Sequence, residues 1–111
     1  LAGFARHEQQ VLAVLLRCQR RKPDVAAVRA LPERLRLPAS RIIALLRLAV
    51  LLQRSREPTA PPPAELRADA TTLQLTLPRA WLSAHPLTGA DLEQERGYLK
   101  ALDVKLHLMS D

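Results

Sequence analysis

Six basic side chains are the residues whose type and spacing suit them to chemistry. Arg17, Arg20, Arg21 and Lys22 form one run, and Arg47 and Arg54 stand seven positions apart. A guanidinium presents a rigid fork of N–H donors that meets the oxygens of a phosphate or carboxylate two at a time. Four cations in six residues can therefore track a long polyanion without reading any sequence in it. The competing reading is a solvated helix end, where the helix dipole favours cations in any case. Arg47 and Arg54 fall on one face of a helix, two turns apart, among few other polar side chains. A guanidinium at position 47 must snorkel, pair or meet an anion, because burying it bare is costly. Glu8 and Glu33 are the expected internal partners of Arg47 and Arg54 if these pair within the chain.

The remaining residues of chemical interest form no constellation. His7, His85 and His107 are scattered without metal-ligand spacing; His7 reads as a helix-start residue and His85 as a turn residue before Pro86. Cys18 lies on an apolar face and reads as inert packing rather than a nucleophile. Trp81 reads as a core plug. Asp91, Glu93 and Glu95 do not converge on one helical face and read as surface charge. With three glycines in 111 residues there is no phosphate-cradling or dinucleotide loop, and neither a Gly-x-Ser-x-Gly elbow nor a Cys-x-x-Cys pair occurs.

The elements that must position these residues follow from periodicity. A helix is expected from about Phe4 to Arg21, with Val11, Leu12, Val14, Leu15, Leu16 and Cys18 as a wide apolar face and Arg6, Gln10, Arg17, Arg20 and Arg21 as one basic stripe. Pro23 ends it, and Asp24 caps a short helix through about Ala30, closed by Pro32. Pro38 is expected to open a third helix from about Ala39 to Arg54. Its residues Ile42 to Leu52 are apolar around almost the whole circumference, which predicts a central helix packed on several sides. Four prolines between Glu57 and Pro63 make a stiff linker. Beyond it the period changes to two: Leu66 and Ala68, then Leu73, Leu75 and Leu77, alternate with polar residues around an Ala70-Thr71 turn. Thr88 with Asp91 predicts a capped helix through about Leu102, and Val104, Leu106 and Leu108 a last strand.

The fold class expected is therefore α+β: a helical segment over residues 1–56, a Pro-rich linker over 57–63 and a small β-β-α-β domain over 64–111. Charge divides at the same place. Residues 1–56 carry twelve Lys/Arg against three acids and residues 57–111 five against eight, for a net charge of +6. A basic half facing a polyanion fits this, as does a merely basic surface. Aromatic residues are almost absent, so Leu, Val, Ile and Ala must build the core. The apolar runs are too interrupted by charge to span a bilayer. A single cysteine points to a reducing, cytoplasmic setting, and a start at Leu1 points to a segment of a longer protein.

Four stretches in order resemble the exopolyphosphatase / guanosine pentaphosphate phosphohydrolase (Ppx/GppA) family. They are Gly3-Phe4-Ala5-Arg6-His7-Glu8-Gln9-Gln10 with the leucine-rich run into Arg17-Cys18-Gln19-Arg20-Arg21-Lys22; Leu45-Leu46-Arg47-Leu48-Ala49-Val50-Leu51-Leu52-Gln53-Arg54; Leu77-Pro78-Arg79-Ala80-Trp81-Leu82 with His85-Pro86-Leu87; and Asp91-Leu92-Glu93-Gln94-Glu95 with Tyr98. The resemblance implies a parent enzyme, an exopolyphosphatase-type hydrolase of phosphoanhydride bonds that uses Mg2+. Its actin-like catalytic domains lie outside this chain, which alone is expected to be inactive and to hold no cofactor. It also implies that residues 1–56 are HD-like. In active HD enzymes an aspartate metal ligand stands where this chain has Val50, so no HD metal site is expected. Many relatives carry Tyr-His where this chain has Cys18-Gln19.

What the resemblance implies for function is a module that holds inorganic polyphosphate through Arg17, Arg20, Arg21, Lys22, Arg47 and Arg54, packs on the rest of the parent chain and contributes to a homodimer. No membrane partner is expected. Two other readings stand beside it: a winged-helix-like nucleic-acid module, and a purely structural interaction domain. The first is disfavoured because its reading helix, Ile42 to Leu52, offers only Arg47 to a groove. The residues do not separate an exopolyphosphatase from a guanosine pentaphosphatase.

Overall fold

The computed structural model describes residues 6–19, 21–55 and 64–111. Eight elements follow in chain order: α1 (Arg6–Arg17), α2 (Val25–Arg29), α3 (Glu33–Ser55), β1 (Glu65–Ala68), β2 (Thr72–Leu77), α4 (Arg79–Ala84), α5 (Pro86–Lys100) and β3 (Lys105–Ser110). The architecture is α+β. The Pro-rich stretch 57–63 lies outside the described residues.

The first helix is shorter than the periodicity suggests. Its last α-type bond runs from Cys18 N–H to the Val14 carbonyl, and a tighter bond from Gln19 N–H to the Leu16 carbonyl closes it. The expected start at Phe4, and Arg20, lie outside the described residues. Arg21 and Lys22 therefore sit beyond the helix, in the turn before α2, and do not continue a stripe along it. Leu16, expected on the apolar face, is 66% exposed. Asp24 caps α2 as expected, its carboxylate accepting from Ala27 N–H at 3.0 Å.

The third helix begins five residues before Pro38, which sits inside it. The true opening is at Pro32, whose carbonyl accepts the first helical bond from Leu35 N–H at 2.8 Å. Pro38 removes one donor early in the helix and is itself exposed, so water can satisfy the carbonyl left over. The helix is packed on one side only. Ala39, Ile43, Ala44, Leu48 and Leu51 are buried, whereas Ile42, Leu45, Leu46 and Val50 are roughly 40% or more exposed. The all-round apolar pattern predicts packing on several sides; α1, α2 and α5 do pack on α3, but all against its one buried face. Among the described residues nothing covers the outer side.

The hairpin and the last strand form as the alternation predicts. β1 and β2 pair antiparallel, with Leu66 opposite Leu75; β3 joins β2 in parallel, with Leu73 opposite Leu106. Leu73, Leu75 and Leu77 point to the core while Gln74 faces out. The parallel pairing requires a crossover, supplied by α4 and α5. The sequence expectation contained no α4, and it placed the α5 cap at Thr88. Instead α5 opens with Pro86 at its first turn, and Thr88 is buried within it. At its other end, Val104 N–H bonds to the Leu99 carbonyl and Asp103 N–H to the Lys100 carbonyl, both at 3.0 Å. Asp103 has φ 62°, the left-handed residue of a Schellman cap, and Leu99 and Val104 supply its buried apolar contact. That reversal aims the chain into β3.

One cluster of buried residues runs from Val14 and Cys18 through Ile43 and Leu48 to Leu75, Leu92, Leu99 and Leu106. The helical segment and the β-β-α-β segment thus contribute to a shared core, with α5 packed on both α3 and β3.

Candidate functional site

The polar residues of greatest consequence meet where α3 and α5 cross behind the end of α1. Arg47 points inward from α3, between Ala44 and Leu48 on the buried side. Its Nε and one Nη donate to the two carboxylate oxygens of Glu95 at 2.6 and 2.8 Å. The other Nη donates to the Cys18 carbonyl at 2.7 Å, and a further bond reaches the Arg21 carbonyl at 2.9 Å. The guanidinium carbon lies 5.6 Å from the centre of the Tyr98 ring. One planar cation thus bridges α5, the end of α1 and the turn beyond it. The carbonyls left open at a helix C-terminus usually meet water or a local cap; here a cation from another helix reaches them.

Two sequence expectations are corrected at this point. The ion-pair partner that the structure gives Arg47 is Glu95 rather than the expected Glu8 or Glu33, and Glu95 is not surface charge but 5% exposed. A signal was available. Leu92, Glu95 and Leu99 stand at i, i+3 and i+7, which puts Glu95 on the buried face of α5. The ion pair spans 48 residues of sequence, so local pattern could not name its partner.

In front of this junction opens a cavity of about 390 Å³, lined among others by Arg21, Arg54, Gln19, Asp91, Gln94 and Tyr98. Arg21 reaches it from the turn after α1 and Arg54 from the last turn of α3. Since Arg47 and Glu95 neutralise one another, the charged lining among the described residues is Arg21 and Arg54 against Asp91, a net positive balance. Val50 also lines this cavity. A second hollow of about 450 Å³ shares Leu51, Arg54 and Asp91 with the first and continues it towards His85 and Leu87. Of the six cations singled out in the sequence, the structure brings Arg21, Arg47 and Arg54 together. Arg17 and Lys22 are exposed and do not line the cavity, and Arg20 lies outside the described residues.

The other candidates behave as packing or local structure. Cys18 is fully buried, its Sγ 3.7 Å from the Asp24 carbonyl, and burial pushes its thiol above the ordinary range. Trp81 is half-buried and stacks on His85, ring centres 4.0 Å apart. His85 Nδ1–H donates to the Trp81 carbonyl at 2.8 Å, which fixes its tautomer. His7 Nδ1 accepts from Arg34 at 3.1 Å. Among the described residues no group of three or more His, Cys, Asp or Glu is placed to hold a metal ion. Among the same residues no helix is long and apolar enough to cross a membrane.

The profile of Ppx/GppA phosphatase, domain III, matches residues 1–96. The chain belongs to the Ppx/GppA phosphatase family. The match runs across the Pro-rich stretch and takes in α1 to α3, the hairpin and most of α5. This domain III is 42% identical over 98 residues to a guanosine-5'-triphosphate,3'-diphosphate pyrophosphatase of Photobacterium profundum, covering 86% of the chain and 19% of that relative. Proteins of the same name from Vibrio atlanticus and Vibrio cholerae are each 38% identical over the same coverage. The Ppx/GppA chain described here thus spans about a fifth of the length of these curated relatives.

Proposed function

We propose that this domain III is a non-catalytic, substrate-holding part of a hydrolase of phosphoanhydride bonds, and that its cations grip a run of phosphates such as inorganic polyphosphate. The ligand set is Arg21 and Arg54 at the cavity, with Arg17, Arg20 and Lys22 extending it. Arg47 is left out, because its donors already meet Glu95 and two carbonyls. The observation that carries this reading is the convergence of Arg21 and Arg54, from separate elements, on one net-positive cavity. Domain III of a family whose relatives are named for a guanosine 5'-triphosphate fits it, since that substrate also carries a linear run of phosphates. Mg2+ and the cleavage step belong to other domains of a cytoplasmic parent. Helices α1 to α3 are read as an HD-like scaffold in which Val50 replaces the metal aspartate.

A second role rests on a separate observation. The exposed apolar side of α3 (Ile42, Leu45, Leu46 and Val50) is a surface to be packed against, in the parent chain or in a homodimer. The same side weighs against a winged-helix reading, because a helix that reads DNA needs polar side chains there.

Binding of long-chain polyphosphate, and separately of guanosine-5'-triphosphate,3'-diphosphate, should be measured across a salt series with duplex DNA as competitor. Salt-sensitive binding that DNA does not displace, and that weakens when Arg21 and Arg54 become alanine, is the expected result. No binding of either ligand at low salt defeats the substrate-holding reading and leaves the packing role.

A further inference from the structure

The Arg47–Glu95 pair has a position in the fold that a simple helix-to-helix tie does not need. Two helices are joined once Arg47 meets Glu95. Yet the same guanidinium also holds the Cys18 and Arg21 carbonyls, which bracket the turn carrying the basic run. From this we infer that Arg47 and Glu95 are positioning residues for the phosphate-binding turn: α5 fixes Glu95, Glu95 orients the guanidinium, and the guanidinium sets the backbone from which Arg21 reaches the cavity. This rests on the substrate-holding reading for its ligand but not for its geometry.

The chemistry of the fork explains why arginine stands here. From one planar group, two bonds go to the Glu95 carboxylate and two to the Cys18 and Arg21 carbonyls, and their directions are mutually fixed. A lysine ammonium offers three donors from a single point and cannot meet both carboxylate oxygens and both carbonyls at once. The carboxylate is equally specific. Its two oxygens take the Nε and Nη donors side by side, so the plane of the guanidinium, and hence the direction of its remaining donors, is set by Glu95. Without that partner the buried cation would swing towards water, and the turn would lose both its anchors. Tyr98, on the same helix as Glu95, lies beside the guanidinium and narrows its freedom further.

The decisive variant is Arg47→Met with Glu95→Leu. It removes one charge of each sign, keeps net charge at +6, and replaces a buried pair by apolar groups of similar size, a change that folds tolerate. Long-range attraction to a polyanion is then unaltered, so any loss of affinity reports the placement of the turn. The expected result is polyphosphate affinity reduced about tenfold with a shallower salt dependence, as one or two charge-assisted phosphate bonds are lost. Alkylation of Cys18 and amide exchange at Cys18, Gln19 and Arg21 should quicken at the same time, with other core amides unmoved. Arg47→Lys should fail to restore either property.

A folded double variant with wild-type affinity, salt dependence and Cys18 protection overturns the inference. If the double variant does not fold, Glu95→Gln takes its place: it keeps the side-chain shape but weakens the grip on the guanidinium. Unchanged affinity and Cys18 protection in Glu95→Gln, beside a lowered melting temperature, would equally overturn it, since the pair would then be a strut and nothing more. If the wild-type chain binds neither polyphosphate nor guanosine-5'-triphosphate,3'-diphosphate, the substrate-holding reading fails. Exchange and alkylation at the turn still decide the positioning by themselves.

Discussion

The two faces of α5 carry the same pair of charges to different ends. On the inner face Glu95 meets Arg47, both side chains 7% exposed; on the outer face Glu93 meets Arg96, one turn along, at 2.8 Å with both more than half exposed. Distance does not separate the two pairs, and surroundings do. Water screens the outer pair and solvates either partner when the other is removed, so it contributes about 0–1 kcal/mol. The inner pair has been withdrawn from water, and each charge depends on the other. Loss of one leaves the other uncompensated at a cost of about 3–5 kcal/mol. An ion pair is best judged by what its members would do alone.

The largest expected effect tests that contrast directly. Glu95→Ala should destabilise the chain by about 3–5 kcal/mol in urea unfolding, and a loss below about 1 kcal/mol would erase the distinction between the faces. The same comparison can be made on α3 with apolar side chains. Ile43 is fully buried and Ile42, one position earlier, is 44% exposed. Ile43→Ala should cost about 2–5 kcal/mol; Ile42→Ala should cost much less in this chain, and equal losses would mean that the outer side is covered.

A smaller effect is expected from Cys18, on the alkaline side. Burial raises its thiol above the ordinary range, so the folded chain keeps its proton at a pH where the unfolded chain releases it. Below the ordinary thiol range both states are protonated and nothing changes. As pH rises through that range stability should decline, and Cys18→Ala should flatten that part of the profile. A decline of equal steepness in the variant assigns it to other groups. The smallest change belongs to the outer pair: Glu93→Ala should move stability by no more than about 1 kcal/mol, and a loss as large as that of Glu95→Ala would refute the account given of α5.

Much of this fold was legible in sequence because its strands obey a strict period of two. Leu73, Leu75 and Leu77 declared both the strand and its buried face, and Val104, Leu106 and Leu108 did the same for β3. Helix boundaries were less legible, since proline marks a boundary only when the backbone has nowhere better to begin. Pro38 looked like a start, but Pro32 lay upstream with an acceptor to offer. Apolarity around α3 said that the helix wants contact on all sides, not which contacts this chain supplies. Arg47 and Arg54 were recognised as the polar exceptions on an apolar helix. The partner of Arg47 was not, because Glu95 and Arg47 meet only through the crossing of two helices distant in sequence. The spacing of Leu92, Glu95 and Leu99 held half of that answer.

The separation of Arg47 from Glu95 also orders events in time. As the chain leaves the ribosome, α1 to α3 emerge first, bearing a cation whose counter-charge is 48 residues behind it. β2 also waits, for a parallel neighbour, β3, that is the last strand of the described residues. Closure of both is non-local, and such steps are slow because a long loop must be drawn in before any contact rewards it. Until α5 arrives, the nascent helices carry a buried-to-be charge that keeps that side of α3 wet. The late carboxylate thus marks completion: a chain interrupted before Glu95 would hold Arg47 without its counter-charge, and faster proteolysis of such a truncation is the expected outcome.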